Sequence, residues 1–203
     1  MAKENREDSY LGNRLLKPTN VPQQFTKEEV EEYVKCRDDI IYFLKNYVQV
    51  IHVDKGLVPF DLYDYQQDLI NTLNEHRYVI VKSARQSGKS VTSLGYILHY
   101  VLFNKTKIVG MLANKASTSR ELLGRLQTAY QHLPKFLQQG IVEWNKGNLE
   151  LENGSKIIAS STSSSAIRGY SFSLLFLDEF AFVQRTIADA FIKSVYPTIS
   201  SGK

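Results

Sequence analysis

The chain has 203 residues, of which 43% are hydrophobic and 23% charged, and its formal net charge is +4. This composition is typical of a globular protein with its own hydrophobic core. A single cysteine, Cys36, excludes an intramolecular disulfide and a zinc site built on several cysteines. The opening residues are polar, and no stretch approaches the roughly 20 apolar residues that span a bilayer. We therefore expect an intracellular protein without a membrane partner.

The first 60 residues are expected to form a polar arm followed by a helical subdomain. Residues 1–24 are polar and contain two prolines, which predicts a loose arm. Thr26 and Glu29 have the spacing of a capping box, in which a hydroxyl and a carboxylate satisfy free backbone N–H groups, so a helix should begin there. Apolar residues then recur near the helical period to about Tyr47, and a glycine and a proline further on indicate a loop.

Residues 61–203 show alternating strand and helix patterns, which we assign to a catalytic core. Helices are predicted over 64–73, 91–103, 117–133 and 186–195, and buried strands at Tyr78–Val81, Lys107–Leu112 and Leu174–Leu177. A β-hairpin is predicted over 149–159, because Asn153-Gly154 supplies the positive φ angles of a tight turn. The alternation indicates an α/β fold with a mainly parallel sheet flanked by helices.

The strongest chemical signal is the segment Ser83-Ala84-Arg85-Gln86-Ser87-Gly88-Lys89-Ser90, between a predicted strand and a predicted helix. It has the spacing of a phosphate-binding loop, with Ser83 where the usual pattern has its first glycine. Backbone N–H groups of such a loop surround phosphate oxygens, and the helix N-terminus adds positive potential. In this role Gly88 permits close backbone approach, Lys89 reaches the β- and γ-phosphates, and Ser90 offers its hydroxyl to Mg²⁺.

A second signal lies downstream, where four apolar residues lead into Asp178 and Glu179. A buried strand delivers such carboxylates to the C-terminal edge of a parallel sheet, where ligands bind in this type of fold. Asp178 would hold Mg²⁺, often through water, and Glu179 would orient or deprotonate the attacking water. The loop and the acidic pair together predict a P-loop NTPase that binds ATP or GTP.

Three further residues have two interpretations each. Gln66 can pair with the N6 and N7 edges of adenine, which would select ATP, or lie on the surface of a short helix. Arg85 can act as an arginine finger in cis, or it can be a solvent-exposed basic residue near the triphosphate. Arg168 can contact nucleotide or a DNA phosphate, or belong to a flexible connector.

The excess of Lys and Arg lies in residues 61–203, which is compatible with a polyanion such as DNA and also with a solvated surface.

Taken together, the motifs resemble the large terminase subunit of contractile-tailed phages. The resemblance covers residues 23–203 approximately. Besides the phosphate loop, it rests on Cys-Arg-Asp-Asp-Ile (36–40), Asp-Tyr-Gln (64–66), Gly-Ile-Val-Glu-Trp-Asn-Lys-Gly (140–147), Glu-Asn-Gly-Ser (152–155), Arg-Gly (168–169) and Asp-Glu-Phe-Ala-Phe (178–182).

The resemblance implies an ATP-driven translocase that pumps double-stranded viral DNA into a procapsid in the host cell cytoplasm. It implies a portal protein and a small terminase subunit as partners, and further copies of the chain in a homo-oligomeric ring. Gln66 matches the adenine-motif glutamine, and Arg85 matches the proposed cis arginine finger. The phosphate-loop and acidic-pair residues match the family positions that bind ATP and Mg²⁺.

The chain departs from the family pattern at its C-terminal end. It ends before the Thr-rich strand that couples hydrolysis to motion and before the RNase-H-like nuclease domain. We therefore expect an incomplete sheet and no nuclease activity from this chain. Two other functions stay open: a helicase-like or restriction-associated DNA translocase, which shares the loop and the acidic pair, and a nucleotide-binding fragment without turnover.

Overall fold

The computed structural model describes residues 9–162 and 169–200 of the chain. Its architecture is α/β, as predicted, with a two-stranded sheet and a five-stranded sheet flanked by helices. In chain order the elements are α1 (Lys27–Asp38), α2 (Ile40–Tyr47), β1 (Gln49–His52), β2 (Gly56–Pro59), α3 (Asp64–Glu75), α4 (Lys89–Phe103), β3 (Ile108–Ala113), α5 (Ala116–Gln131), β4 (Ile141–Trp144), β5 (Asn148–Leu151), β6 (Lys156–Ser161), β7 (Leu174–Leu177) and α6 (Arg185–Ser200).

The five-stranded sheet has the order β4-β5-β6-β3-β7 and is mixed. Strand β3 pairs in parallel with β6 and β7, whereas β4–β5 and β5–β6 are antiparallel pairs. The expectation of a mainly parallel sheet is therefore wrong. It fails because the predicted hairpin joins this sheet as β5 and β6, and because the sequence analysis did not identify β4.

Helices cover both faces of the sheet. Helix α5 packs on β3 and β6, and its apolar side chains belong to the main buried cluster. Phe191 of α6 packs in a second cluster with Leu112, Ile158 and Phe172. No helix in the described part of the chain is long and apolar enough to cross a membrane.

The predicted hairpin over 149–159 is confirmed, but its turn is longer than the tight turn expected. Residues 152–155 join β5 to β6, and of the Asn-Gly pair only Gly154 has a positive φ, of 80°. Asn153 acts through its side chain instead, because its Nδ2 donates to the Val101 carbonyl at the end of α4 (2.8 Å). The Asn-Gly sequence therefore also fixes the hairpin to α4.

The prediction of a strand at residues 78–81 is wrong. In the described part of the chain these four residues do not form a strand. Ile80 is 98% exposed and Val81 is 40% exposed. An apolar, β-branched run forms a strand only where a neighbour supplies hydrogen bonds and a surface to pack on. Strand β7 pairs with β3 on one side and with no strand of residues 9–162 or 169–200 on the other.

The single helix predicted after Thr26 is in fact two helices. The capping box of Thr26 and Glu29 is confirmed at the start of α1. Asp39 leaves the helical conformation with a φ of −128° and a ψ of 104°, and its carboxylate accepts a hydrogen bond from the Tyr42 N–H at 2.8 Å, which starts α2. The loop expected after α2 contains the β1–β2 hairpin.

Residues 9–20 of the arm are not loose but lie against the β4 edge of the sheet. The Lys17 carbonyl accepts a hydrogen bond from the Ile141 N–H at 2.9 Å. Leu16 is buried in a cluster that also contains side chains of α2, α4 and α5. This cluster takes residues from both sides of the domain boundary that we place after residue 60, and the boundary itself stays a prediction.

Candidate functional site

The predicted phosphate loop, residues 83–90, turns directly into α4. Gln86 has a φ of 61°, and Gly88, the residue before the helix, has a φ of 73°. Left-handed residues in such a turn point successive backbone N–H groups inward and create a concavity that suits an anion. At Gly88 a Cβ atom would lie 2.5 Å from Gln66 Nε2. Glycine is therefore favoured at this position by its conformation, and a larger residue would also have to displace the Gln66 amide.

The N-terminus of α4 is open toward this loop. No side chain caps it, and its first turn carries no acidic residue. The free N–H groups and the positive end of the helix dipole are therefore not neutralised by an acidic or capping side chain of the helix itself. Thr92 Oγ1 donates back to the Gly88 carbonyl at 3.0 Å, which holds the loop to the first turn.

The acidic pair ends β7 beside the first turn of α4. The Asp178 N–H donates to the Leu112 carbonyl at 2.8 Å, and this bond extends the β3–β7 ladder by one residue. Asp178 is only 8% exposed. Ser90 Oγ donates to Asp178 Oδ1 at 3.3 Å. The fold thus brings together two residues, 88 positions apart, that the sequence analysis assigned to one Mg²⁺ site.

The chemistry of Ser90 and Asp178 fits Mg²⁺. Burial raises the pKa of the Asp178 carboxyl and Glu179 adds to the rise, whereas the Ser90 hydrogen bond and the Lys89 charge oppose it. A desolvated carboxylate beside a hydroxyl offers the hard oxygen ligands that Mg²⁺ prefers, and Mg²⁺ usually takes the rest from water and phosphate. Across residues 9–162 and 169–200, no group of three or more His, Cys, Asp or Glu side chains could hold a metal alone.

Glu179, the residue after Asp178, and Arg85, in the phosphate loop, are both exposed. Glu179 has a φ of 51° and precedes a short 3-10 turn at 180–182. This conformation costs a non-glycine residue roughly 1–2 kcal/mol, and the Phe182 N–H, which donates to the Glu179 carbonyl at 3.0 Å, stabilises the turn. Arg85 lies in the turn of the phosphate loop. The roles of water-orienting base and arginine finger stay predictions.

Gln66 connects the start of α3 to the phosphate loop. The side chain is 4% exposed, so its interpretation as a surface glutamine is wrong. Its Oε1 accepts a hydrogen bond from the Tyr63 N–H at 3.0 Å, and its Nε2 faces Gly88. The pairing of this amide with adenine stays a prediction.

Tyr65 is a residue at the site that the sequence analysis did not single out. Its hydroxyl donates to the Ser87 carbonyl at 2.8 Å. The only signal in the sequence is its place beside Gln66 in the Asp-Tyr-Gln motif. Arg168 lies outside the described residues.

Solved structures share this fold. The large terminase of bacteriophage HK97 superposes with a TM-score of 0.62 at 20% identity, covering 79% of this chain and 35% of that one. The large terminase ATPase domain of Thermus phage P74-26 gives a TM-score of 0.53 at 17% identity, covering 68% of this chain and 65% of that one. The chain therefore spans about a third of the length of the HK97 protein and about two thirds of the P74-26 domain. At these identities the likeness concerns the fold.

The family is identified by a sequence match. Residues 80–194, which are more than half of the chain, match a family model. That model describes the N-terminal region of the terminase large subunit of the T4likevirus type. The matched segment begins just before the phosphate loop and includes β3, the hairpin and the acidic pair. The chain therefore belongs to the T4-like family of terminase large subunits and represents the N-terminal region of that subunit.

Proposed function

We propose that this chain adopts a P-loop NTPase fold and binds and hydrolyses ATP with Mg²⁺, as the motor domain of a terminase that drives DNA into a viral procapsid. The observation that carries the proposal is the contact of Ser90 Oγ with Asp178 Oδ1 (3.3 Å). The contact lies at the first turn of an uncapped helix, where an anion is favoured. A triphosphate and its cation would both be stabilised at this position.

Each residue of the site is assigned a role in binding ATP and Mg²⁺ according to its charge and chemistry. Lys89 is the cation for the β- and γ-phosphates, while the backbone N–H groups of the loop surround the phosphate oxygens. Ser90 and Asp178 would hold Mg²⁺, which, when bound, neutralises charge on the phosphate oxygens. Gln66 selects adenine, as its family position implies.

Glu179 and Arg85 are assigned to the hydrolysis step. Glu179 orients the attacking water and accepts its proton, and Arg85 stabilises the negative charge that develops on the transferred phosphoryl group. Both side chains are exposed, Arg85 within the phosphate loop and Glu179 directly after Asp178, which supports these roles.

The partners of the motor are proposed from the family alone. We infer that double-stranded DNA is the translocated substrate, and that portal protein, small terminase subunit and further copies in a ring complete the motor in the host cytoplasm. The chain covers 35% of the HK97 large terminase. Activities of the whole subunit therefore have to be measured on the whole subunit.

The first test is Mg²⁺-dependent ATP hydrolysis by this chain, beside Glu179→Gln, with MgATP affinity measured on both. We expect the variant to retain wild-type affinity and lose turnover by at least 100-fold, because a general base contributes roughly 10²–10⁴-fold. Glu75→Gln, an exposed glutamate at the end of α3, is the matched control and should hydrolyse ATP like the wild type. Normal turnover by Glu179→Gln overturns the base assignment. Binding without turnover by the wild type supports a nucleotide-binding fragment.

A further inference from the structure

Ser83 occupies the position where phosphate loops usually carry their first glycine. Glycine is favoured where φ is positive, because other residues meet a steric penalty there. The non-glycine residues with positive φ in the described part of the chain include Gln86 and Glu179, but not Ser83. The loop therefore takes its left-handed turns at residues 86 and 88. Position 83 is free to carry a side chain.

The hydroxyl of Ser83 lies across the loop from Ser87. The two Oγ atoms are 3.0 Å apart, and Ser87 Oγ is also 2.9 Å from the Ala84 carbonyl. Since each hydroxyl carries one proton, both contacts are satisfied when Ser83 donates to Ser87 and Ser87 donates to the Ala84 carbonyl. These two bonds close the loop from 83 to 87 without using the backbone N–H groups that face a ligand.

The same residue is held from outside the loop. Tyr65 Oη donates to the Ser87 carbonyl at 2.8 Å. The Tyr65 ring stacks on Tyr63, with centroids 5.6 Å apart and an interplanar angle of 8°, which restricts the direction in which the hydroxyl points. Ser87 is therefore fixed through its side chain by Ser83 and through its backbone by α3.

We propose that Tyr65, Ser83 and Ser87 form a clasp that holds the phosphate loop in its binding shape before nucleotide arrives. The inference rests on the proposed ATP-binding function and adds three positioning residues to it. A preshaped loop loses less conformational freedom on binding, so the clasp raises affinity without touching the reacting atoms. In this chain the serine at position 83 improves the site, although it departs from the common motif.

The proposal makes an unusual prediction for Ser83→Gly, the change that restores the common motif. We expect it to weaken MgATP binding about tenfold, because it removes the hydroxyl and frees the backbone. Ser83→Ala and Tyr65→Phe should each weaken binding severalfold. Ser83→Thr, which keeps the hydroxyl, should bind like the wild type. The effect should appear in KM and leave kcat within twofold, since the clasp acts before the chemical step.

The experiment combines MgATP affinity with hydrogen exchange of residues 83–88 in the nucleotide-free full chain. Tyr63→Phe is the matched control for Tyr65→Phe, because it removes the hydroxyl of the other ring in the stacked pair. We expect faster exchange in Ser83→Gly and Tyr65→Phe than in the wild type and in Tyr63→Phe. The double variant Ser83→Ala, Ser87→Ala should bind MgATP as tightly as Ser87→Ala, because Ser87→Ala already removes the hydrogen bond between the two hydroxyls.

The outcomes separate the clasp from the proposed function. Wild-type protein that does not bind MgATP overturns the ATP-binding function and the nucleotide role of the clasp together. The clasp alone is overturned if the wild type binds MgATP and both Ser83→Gly and Tyr65→Phe bind it within twofold of the wild-type affinity. Unchanged hydrogen exchange of residues 83–88 in these variants would also overturn it. A loss of kcat with unchanged KM would also overturn it, because it would place these groups in the chemical step.

Discussion

The two ends of helix α4 differ in how their backbone groups are satisfied. At the C-terminal end, carbonyl groups that have no partner within the helix accept hydrogen bonds from side chains of the β5–β6 turn. Asn153 Nδ2 donates to the carbonyls of Val101 (2.8 Å) and Asn104 (3.2 Å), and Ser155 Oγ donates to the Asn104 carbonyl at 2.7 Å. This end is closed by the protein itself.

The N-terminal end of α4 is not closed in this way. It has no side-chain cap and is preceded by a left-handed glycine. Most helix N-termini take a Ser, Thr, Asp or Asn cap, which satisfies one free N–H group and stabilises the helix by about 1 kcal/mol. The comparison teaches that α4 is anchored at one end and leaves the other end available to a ligand. Changes at the two ends should therefore have separable effects on stability and on binding.

The largest loss of stability is expected from Asn153→Ala at the anchored end. The change removes the donor to the Val101 carbonyl of α4 (2.8 Å) and the acceptor of the Ser155 N–H (2.9 Å), which should lower the free energy of unfolding by about 3 kcal/mol. MgATP affinity of the folded protein should stay within twofold. Urea unfolding and a binding titration measure the two quantities.

A matched control for this prediction is Asn74→Ala, an exposed asparagine inside α3. Alanine is the better helix former, so this change should be neutral or slightly stabilising. Equal stability losses in the two variants would show that the Asn153 side chain does not anchor α4. A large loss of affinity in Asn153→Ala alone would show that the two ends are not separable.

An intermediate effect is expected at the open end from Gly88→Ala. The left-handed conformation should cost about 1–2 kcal/mol of stability, and the new methyl group would meet Gln66 Nε2 at 2.5 Å. We expect MgATP affinity to fall more than tenfold, because the loop can no longer approach phosphate closely. Gly12→Ala is the control, since Gly12 also has a positive φ (85°) but nothing within 4 Å of its Cβ position. It should lose similar stability and keep its affinity.

Much of the candidate site could be predicted from sequence because its signals are local. The strand at 174–177 is where the sequence pattern placed it, and α4 begins at Lys89, two residues before the predicted start at residue 91. The sequence analysis placed the loop and the acidic pair at one edge of the sheet because each was expected to follow a parallel strand. The proximity of Ser90 and Asp178 agrees with that expectation, although no strand forms before the loop in the described part of the chain.

The parts that could not be predicted depend on distant partners. The apolar run at 78–81 has strand propensity, but propensity does not reveal whether a neighbouring strand is present. The break at Asp39 could not be predicted because the helical period continues across it. The polar composition of the arm gives no indication that Leu16 is buried. Compared with the common motif, Ser83 is only a missing glycine, whereas in the structure its hydroxyl lies 3.0 Å from Ser87 Oγ.

The sequence also understated the role of Asn153-Gly154. Turn propensity correctly located the hairpin, but it described only the backbone. The side-chain Nδ2 of Asn153 donates to carbonyls about fifty positions earlier in the chain, at the end of α4. Such a contact between a turn and a helix end has no periodicity and no local pattern, so only the fold reveals it.

The smallest change in stability is expected from the titration of His99, which lies near the anchored end of α4. The ring is 6% exposed, packs against Phe43 and Phe103, and its Nε2 lies 2.8 Å from the Cys36 carbonyl. Burial lowers the pKa of His99, although the hydrogen bonds to the backbone of Cys36 and Arg37 and the charge of Asp39 oppose this. The folded protein therefore protonates this imidazole at a lower pH than an exposed histidine would be protonated.

A lowered pKa fixes the sign of the pH dependence. As the pH falls through the ordinary histidine value of about 6.5, the unfolded chain protonates His99 before the folded protein does. The folded state is then disfavoured by at most about 1.4 kcal/mol per pH unit, and the contribution of His99 is fully present above that value. Urea unfolding from pH 7.5 to 5.5 should show a shallower slope for His99→Gln than for the wild type. An unchanged slope in His99→Gln would show that this ring does not control the pH dependence of stability near the anchored end.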